Sequence, residues 1–200
     1  VLDLARIEAG RLPLTLEPID AEAVLRSSME LMQPIAARHG VNVELIAPDA
    51  THFVRADRLR LKQVALNLVS NSIKYSPRGG IVEIRISAKG DHVRMEVQDR
   101  GQGIPEEKRE HLFRPFERLG VEEAKVEGTG IGLNLCKGLV DAMHGRIGLD
   151  SPAEGGAIFW VELPSVDTGE PAQLRLQPVQ PFASPASAPR RENEAKVLYI

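Results

Sequence analysis

A single cysteine, Cys136, in 200 residues excludes a disulfide framework and points to a reducing compartment, so a cytoplasmic setting is expected. No apolar run approaches the ~20 residues that cross a bilayer. Val1-Leu-Asp-Leu is not a signal peptide, and no membrane contact is expected of this segment, although a longer parent could be anchored. A basic face is also missing. The 25 Lys and Arg against 28 Asp and Glu leave a net charge of −3, and the cations are scattered apart from Arg190-Arg191, which argues against nucleic acid. His39, His52, His92, His111 and His144 show no metal-ligand spacing and no His-Glu-x-x-His pattern, so each reads as a surface or helix-end residue. What is present is 42% hydrophobic content, enough for the core of one ordinary domain.

The pattern opens in mid-helix: Leu2, Leu4, Ile7 and Leu12 keep near-helical spacing and Gly10 marks a stop, as if the chain were cut from something longer. Leu14, Leu16 and Ile19 suggest a short strand. Asp20 is a good N-cap for a helix of about 18 residues, with Val24, Leu25, Leu31, Ile35 and Ala36 as its buried stripe and His39-Gly40 as its end. Val41, Val43 and Leu45 alternate like a strand, and Phe53-Val54 starts another. Asp57 caps a helix on which Leu61, Val64, Leu68 and Ile73 line up, and Pro77-Arg-Gly-Gly80 turns the chain. Two alternating runs, Val82–Ile86 and Val93–Val97, flank Gly90-Asp91 and predict a hairpin. A polar stretch over 100–127 holds a short helix around Glu106–Phe113; a loop of that length is usually functional or disordered. A helix from Thr129 to His144 and closing strands at Ile147–Leu149 and Ala157–Val161 complete the pattern. This order predicts an α+β fold: a two-layer sandwich with a mixed, mostly antiparallel sheet and helices on one face. Six prolines between Pro164 and Pro189 mark a linker over 165–195, and Lys196-Val-Leu-Tyr-Ile200 reads as the start of a further strand.

Three segments carry chemistry. Asp99-Arg-Gly-Gln-Gly103 puts a carboxylate on a tight turn, where it could accept from a base amine while glycines let the backbone approach a flat ring; Asp and Gly are also ordinary turn residues. Gly128-Thr-Gly-Ile-Gly132 leads into a helix whose amides and dipole suit phosphate, or it is a plain glycine-rich loop. Asn67 and Asn71 lie four apart on one helix face, followed by Lys74 and Tyr75. Their amide oxygens suit Mg²⁺, the lysine suits phosphate and the tyrosine suits a base; a capped, polar helix stripe would look the same. Cys136 reads as a small core residue. Phe113 and Phe116 read as hinge anchors or as local packing.

Taken in order, these segments resemble the ATP-binding domain of sensor histidine kinases, in the gyrase, heat-shock chaperone, histidine kinase and MutL superfamily. Leu66–Ser76 is similar to its asparagine box, Asp99–Gly103 to its first glycine box, Leu112–Phe116 to its phenylalanine box and Gly128–Leu133 to its second glycine box. The resemblance covers about residues 20 to 163 and implies the Bergerat ATP-binding fold over 13–164. It implies that Asn71 binds Mg²⁺, that Asp99 binds the adenine amine, and that Gly101, Gly103 and Ile104 shape that floor. Lys74 and Arg118 would touch phosphates, and Tyr75 and Phe116 would lie by the nucleotide. Gly128, Thr129, Gly130, Ile131, Gly132 and Leu133 would hinge a lid over 104–127 and give amides to the phosphates.

Residues 1–12 are similar to the tail of the family's dimerisation helix, and 196–200 to the first strand of a receiver. The implied parent is a homodimeric hybrid kinase that serves a response-regulator receiver. The phosphoacceptor histidine of that helix is normally followed by an acidic residue. None of the five histidines has that setting, since His39 precedes Gly40 and His111 precedes Leu112, so this stretch is expected to bind ATP without phosphorylating itself. In ATP-hydrolysing relatives a glutamate one turn before the metal asparagine serves as general base; here Asn67 holds that place and cannot take a proton. Transfer to a histidine on a separate domain is therefore expected, against two rivals: an ATP-hydrolysing relative, and a non-catalytic nucleotide-binding scaffold. A serine kinase or anti-sigma factor of the superfamily is disfavoured by the helix remnant before Gly10.

Overall fold

The Gly90-Asp91 turn brings two alternating apolar runs into register. Strand β4 (Ile81–Lys89) pairs antiparallel with β5 (His92–Gln98), Val97 opposite Ile84 and Met95 opposite Ile86, so one face of the hairpin is wholly aliphatic. Gly90 takes φ +63 at the turn, a backbone state that glycine enters without strain. The computed structural model describes residues 6–7, 9, 11–46, 50–109, 111–113, 131–152 and 155–167. The chain divides into Val1–Glu170 and Pro171–Ile200, and every described residue lies in the first unit. The linker over 165–195 beyond Asp167 and the strand at 196–200 lie outside the described residues, as do residues 1–5 of the N-terminal helix remnant.

Around the hairpin a five-stranded sheet forms in the order β2-β4-β5-β7-β6, with β2 at Asn42–Leu45, β6 at Arg146–Asp150 and β7 at Ile158–Pro164. Only β2 runs parallel to its neighbour; the other pairings are antiparallel, as the strand-and-helix order predicts for a mixed sheet. Strands β1 (Glu17–Asp20) and β3 (Phe53–Ala56) pair separately. Helices α1 (Ala21–His39), α2 (Arg58–Tyr75) and α4 (Gly132–Ala142) cover one sheet face; α3 is a single turn at Glu106–Arg109. Leu61, Val64, Leu68 and Ile73 of α2 and Leu139 of α4 meet Val82, Ile84, Val97, Phe159 and Val161 of the sheet, all buried. Each such aliphatic or aromatic burial contributes roughly 1.5–3 kcal/mol. The opposite sheet face carries Arg94, which packs 4.2 Å over the Trp160 ring and bonds Glu162 at 2.9 Å.

Three expectations need correction. Leu31 is 53% exposed: the side of α1 that meets the body runs through Ala21, Val24, Leu25, Ser28 and Ala36, and Leu31 falls at its edge. The short helix around Glu106–Phe113 is only Glu106–Arg109, because residues 111–113 turn away. The final helix begins at Gly132 and ends at Ala142 rather than spanning Thr129–His144. Ile131 is its N-cap, and His144 takes φ +60 beyond its end.

Both aspartate caps stand where the sequence puts them. Asp20 accepts from Ala23, and Asp57 accepts from Arg60 at 3.1 Å. Asp57 does more: its Oδ2 accepts from the Thr15 amide at 2.9 Å, which ties the segment before β1 to the start of α2. Burial acts to raise the Asp57 carboxyl, but the amides of Thr15, Arg60 and Leu59 and the charge of Arg60 outweigh it and hold the group below its ordinary 3.8. A carboxyl depressed by folding stabilises above its unfolded value and loses that stabilisation as pH falls through the folded one. Asp57→Ala is therefore expected to cost about 1–2 kcal/mol at pH 7. In urea melts the gap from wild type should narrow below pH 3.8; a gap independent of pH would mean that the carboxylate charge contributes nothing.

Candidate functional site

Asp99 leaves the end of β5 with its side chain turned into the protein, where the residue is 2% exposed. One carboxylate oxygen, Oδ1, accepts from the amide of Gly101 at 2.9 Å and from that of Ala157 at 3.2 Å. Both bonds of the group fall on Oδ1, which leaves Oδ2 as an acceptor without a partner among the described residues. Burial pushes the carboxyl above its ordinary 3.8, while the two amides and the neighbouring Ser72 hydroxyl pull it down. The protein thus holds a buried, half-satisfied acceptor, an arrangement that favours an incoming hydrogen-bond donor.

Glycines let the backbone crowd this carboxylate. A Cβ on Gly101 would lie 2.5 Å from the Tyr75 carbonyl oxygen at the end of α2 and 3.0 Å from Asp99 Oδ1. Gly103, at φ +72, faces the Gly156 carbonyl, and a Cβ there would sit 3.0 Å from it. Gly156, at φ +84, abuts the Asp99 backbone so closely that a Cβ would stand 2.1 Å from the Asp99 carbonyl oxygen. Ile104 packs against the core beside them. Gly155, Gly156 and the Ala157 amide are part of the floor that the sequence reading missed. The Gly155-Gly156 pair just before an alternating strand was the available signal, but such a pair also marks any tight turn.

Helix α2 brings its polar residues along the same edge. Asn67, Asn71 and Lys74 are half-buried and Tyr75 is 50% exposed. Asn67 lies against the first turn of α4, its Oδ1 3.3 Å from where a Cβ on Gly132 would be. Ile131, the N-cap of α4, gives that turn no side-chain cap bond, and the amides of Gly132, Leu133 and Asn134 have no partner within the helix. Asn134 donates instead to the Phe113 carbonyl at 2.9 Å, linking the first turn of α4 to the start of the loop after α3. Cys136 is fully buried; burial pushes its thiol up to about 12, so it is a core residue and not a nucleophile.

The fold therefore brings Asp99, Gly101, Gly103 and Ile104 together with the end of α2, and joins Asn67 to Gly132 and the α4 terminus. Phe116, Arg118, Gly128, Thr129 and Gly130 lie outside the described residues. Among the described residues no group of three or more His, Cys, Asp or Glu could hold a metal ion. A cation here would rest on an amide oxygen such as that of Asn71 together with oxygens of a ligand, a donor set that suits Mg²⁺.

Residues 56–167 match the family model described as histidine kinase-, DNA gyrase B- and HSP90-like ATPase. The chain is 32% identical to the sensory/regulatory protein RpfC of Xanthomonas campestris, over 99% of this chain and 28% of that protein. It is 36% identical to the histidine protein kinase DivJ of Caulobacter vibrioides, over 82% of this chain and 28% of that one. Among solved structures, full-length ShkA in complex with AMPPNP superposes with a TM-score of 0.70 at 34% identity, over 82% of this chain and 34% of the other. The mycobacterial sensor histidine kinase MprB superposes with a TM-score of 0.66 at 28% identity, over 76% of this chain and 98% of the other. The chain thus spans little more than a quarter of the length of its curated relatives.

Proposed function

The chain belongs to the histidine kinase-, DNA gyrase B- and HSP90-like ATPase family, and from that premise we propose that it binds Mg-ATP and donates the γ-phosphoryl group to a histidine on a separate dimerisation domain. The observation that carries this reading is Asp99: a buried carboxylate with one oxygen fixed by two backbone amides and the other left open. A scaffold with no ligand would carry the desolvation of that charge offset by amides at one oxygen only.

In the proposed complex Asp99 Oδ2 accepts from the exocyclic amine of adenine. Gly101, Gly103 and Gly156 let the base lie against bare backbone, and Tyr75 and Phe116 flank the nucleotide. The uncapped first turn of α4, with Ile131, Gly132 and Leu133, receives phosphate oxygens. Gly128, Thr129 and Gly130 hinge the preceding loop. Lys74 and Arg118 balance phosphate charge, and the amide oxygen of Asn71 is the protein ligand for Mg²⁺. When bound, the ion neutralises the charge that builds on the phosphoryl oxygens. Asn67 sits beside Gly132 where a general base for water would stand, and its amide cannot accept a proton in that role. Positioning and charge neutralisation then carry the chemistry, as in phosphoryl transfer generally. The acceptor domain of a parent homodimer and a receiver domain are the proposed protein partners.

The test supplies the chain with a folded, histidine-bearing dimerisation domain and γ-labelled Mg-ATP. Label is expected on the added domain and not on the chain itself. Steady-state ATP hydrolysis by the chain alone should stay far below about 1 s⁻¹, where ordinary enzyme turnover begins. Turnover above that rate, lost in Asn71→Ala, would instead make this an ATP-hydrolysing relative. Nucleotide binding without transfer to any cognate acceptor would leave a binding module.

A further inference from the structure

The chain keeps working after β7 ends. Pro164, opposite His92, is the last residue of the ladder with β5 and has no amide with which to extend it. The next residue grips the β4–β5 turn instead: the amide and the hydroxyl of Ser165 both donate to the Asp91 carbonyl at 2.9 Å. Ser165 also bridges antiparallel to Val54, and the Val166 amide donates to the Phe53 carbonyl at 2.9 Å. Between Pro164 and Val166 the chain thus passes from the five-stranded sheet to the small one, where it runs as a further row beside β3.

The other side of β3 carries the entry to the domain. Strand β1 pairs with it from Glu17 opposite Ala56 to Asp20 opposite Phe53. The first amide of α1, that of Ala21, donates to the His52 carbonyl at 3.0 Å, and the Thr15 amide ahead of β1 is held by Asp57 just past the end of β3. Entry and exit therefore meet on His52, Phe53 and Val54, one on each side. Ile19 and Val54 are fully buried, so the meeting point is seated in the core, while Ser165 is exposed at its rim. A lone pair of strands is marginal in water, and a third strand is what makes such a sheet stand. Residues 165–166 supply that third row.

We propose that the exit of this domain controls the freedom of its entry. While Ser165 and Val166 hold β3 from one side, β1 and the first turn of α1 are fixed on the other. Drawing the exit away leaves β1 and β3 as a lone pair, and the entry loosens with it. The device is thus worked from the chain after Asp167 and read out in the segment ahead of β1. Its functional sense rests on the proposed transfer: a domain that carries phosphate to a separate acceptor turns about its entry, and the clasp sets how freely it turns.

The experiment reads native-state hydrogen exchange on the full chain, as wild type, Val166→Pro and Val166→Ala. Proline removes the amide that bonds Phe53 and keeps Ser165 extended, so it cuts the clasp without bending the chain; alanine keeps the amide. In Val166→Pro the amides of Ala21 and Thr15 should exchange about fivefold faster or more, the worth of one net hydrogen bond. The Asp99 amide, bonded to the Ala157 carbonyl at the far end of β5 and β7, should keep its wild-type rate, and Val166→Ala should match wild type at each of these amides. In wild type alone, Val166, Ala21 and Thr15 should open together, with one free energy below that of Asp99, a comparison that needs no variant to fold. Unchanged exchange at Ala21 and Thr15 in Val166→Pro, an equal rise at Asp99, or separate openings in wild type overturns the coupling. Each of those outcomes leaves the nucleotide reading standing, whereas absence of ATP binding would overturn that reading and not the clasp.

Discussion

Asp99→Asn should weaken Mg-ATP binding by about 100-fold or more while leaving the protein folded. The asparagine oxygen can take the place of Oδ1 and keep the bonds from Gly101 and Ala157. Its amide nitrogen is then forced into the place of Oδ2, where it presents a donor to the donor amine of the base. Loss of a charge-assisted bond is worth roughly 1.5–3 kcal/mol, and leaving a buried donor unpaired adds about as much again. At about 1.4 kcal/mol per factor of ten, the sum exceeds two orders of magnitude in Kd.

The same variant separates binding from stability. Burial raises the Asp99 carboxyl above its ordinary 3.8. A group raised by folding contributes stability that is fully present below the unfolded value and is lost as pH rises through the folded one. At pH 7 the ionised carboxylate is thus a burden on the ligand-free fold, and Asp99→Asn should melt at the same temperature as wild type or higher. Wild-type affinity for ATP should also decline as pH falls toward the raised value, because a protonated carboxyl no longer accepts at both oxygens. Calorimetric titration at neutral and mildly acidic pH, beside melts of both proteins, checks all three. A variant that unfolds, or one that binds ATP like wild type, would remove Asp99 from the site.

Gly156→Ala carries the largest expected loss of stability. Its φ of +84 alone costs an L-residue about 1–2 kcal/mol. The added methyl would also stand 2.1 Å from the Asp99 carbonyl oxygen, a backbone atom that cannot swing aside. Relief requires moving β7 against β5, next to the Asp99 amide bond to the Ala157 carbonyl at 2.9 Å. A total of about 3–4 kcal/mol is expected, at the severe end for a point change and a large part of an ordinary domain's stability. Gly155→Ala is the control. Its φ is similar at +93, but the nearest atom to an added methyl is 3.6 Å away, so about 1 kcal/mol is expected. Urea unfolding of the pair reads the difference. Equal losses would show that strain in φ, and not the approach to Asp99, governs this loop.

Much of the fold was legible because its signals are local. The alternation in β4 and β5, the aspartate caps at positions 20 and 57 and the stop at Gly40 are each written within a few residues, where propensity and capping act. Leu31 shows the limit: its spacing is helical, yet which spaced positions are covered depends on what packs against α1. The helix expected from Thr129 shows another, since spacing alone does not fix where capping begins.

The order of the asparagine and glycine segments pointed to the family, and the match over 56–167 agrees with it. By itself the sequence determined most of the elements and the two aspartate caps, and it marked the asparagine and glycine segments. The tertiary structure alone decided that Ala157, 58 residues after Asp99, donates to its carboxylate and that Gly156 seals the turn behind it. The physical reason is the β5–β7 register, which sets Gln98 opposite Ile158 and so closes two distant loops on one carboxylate.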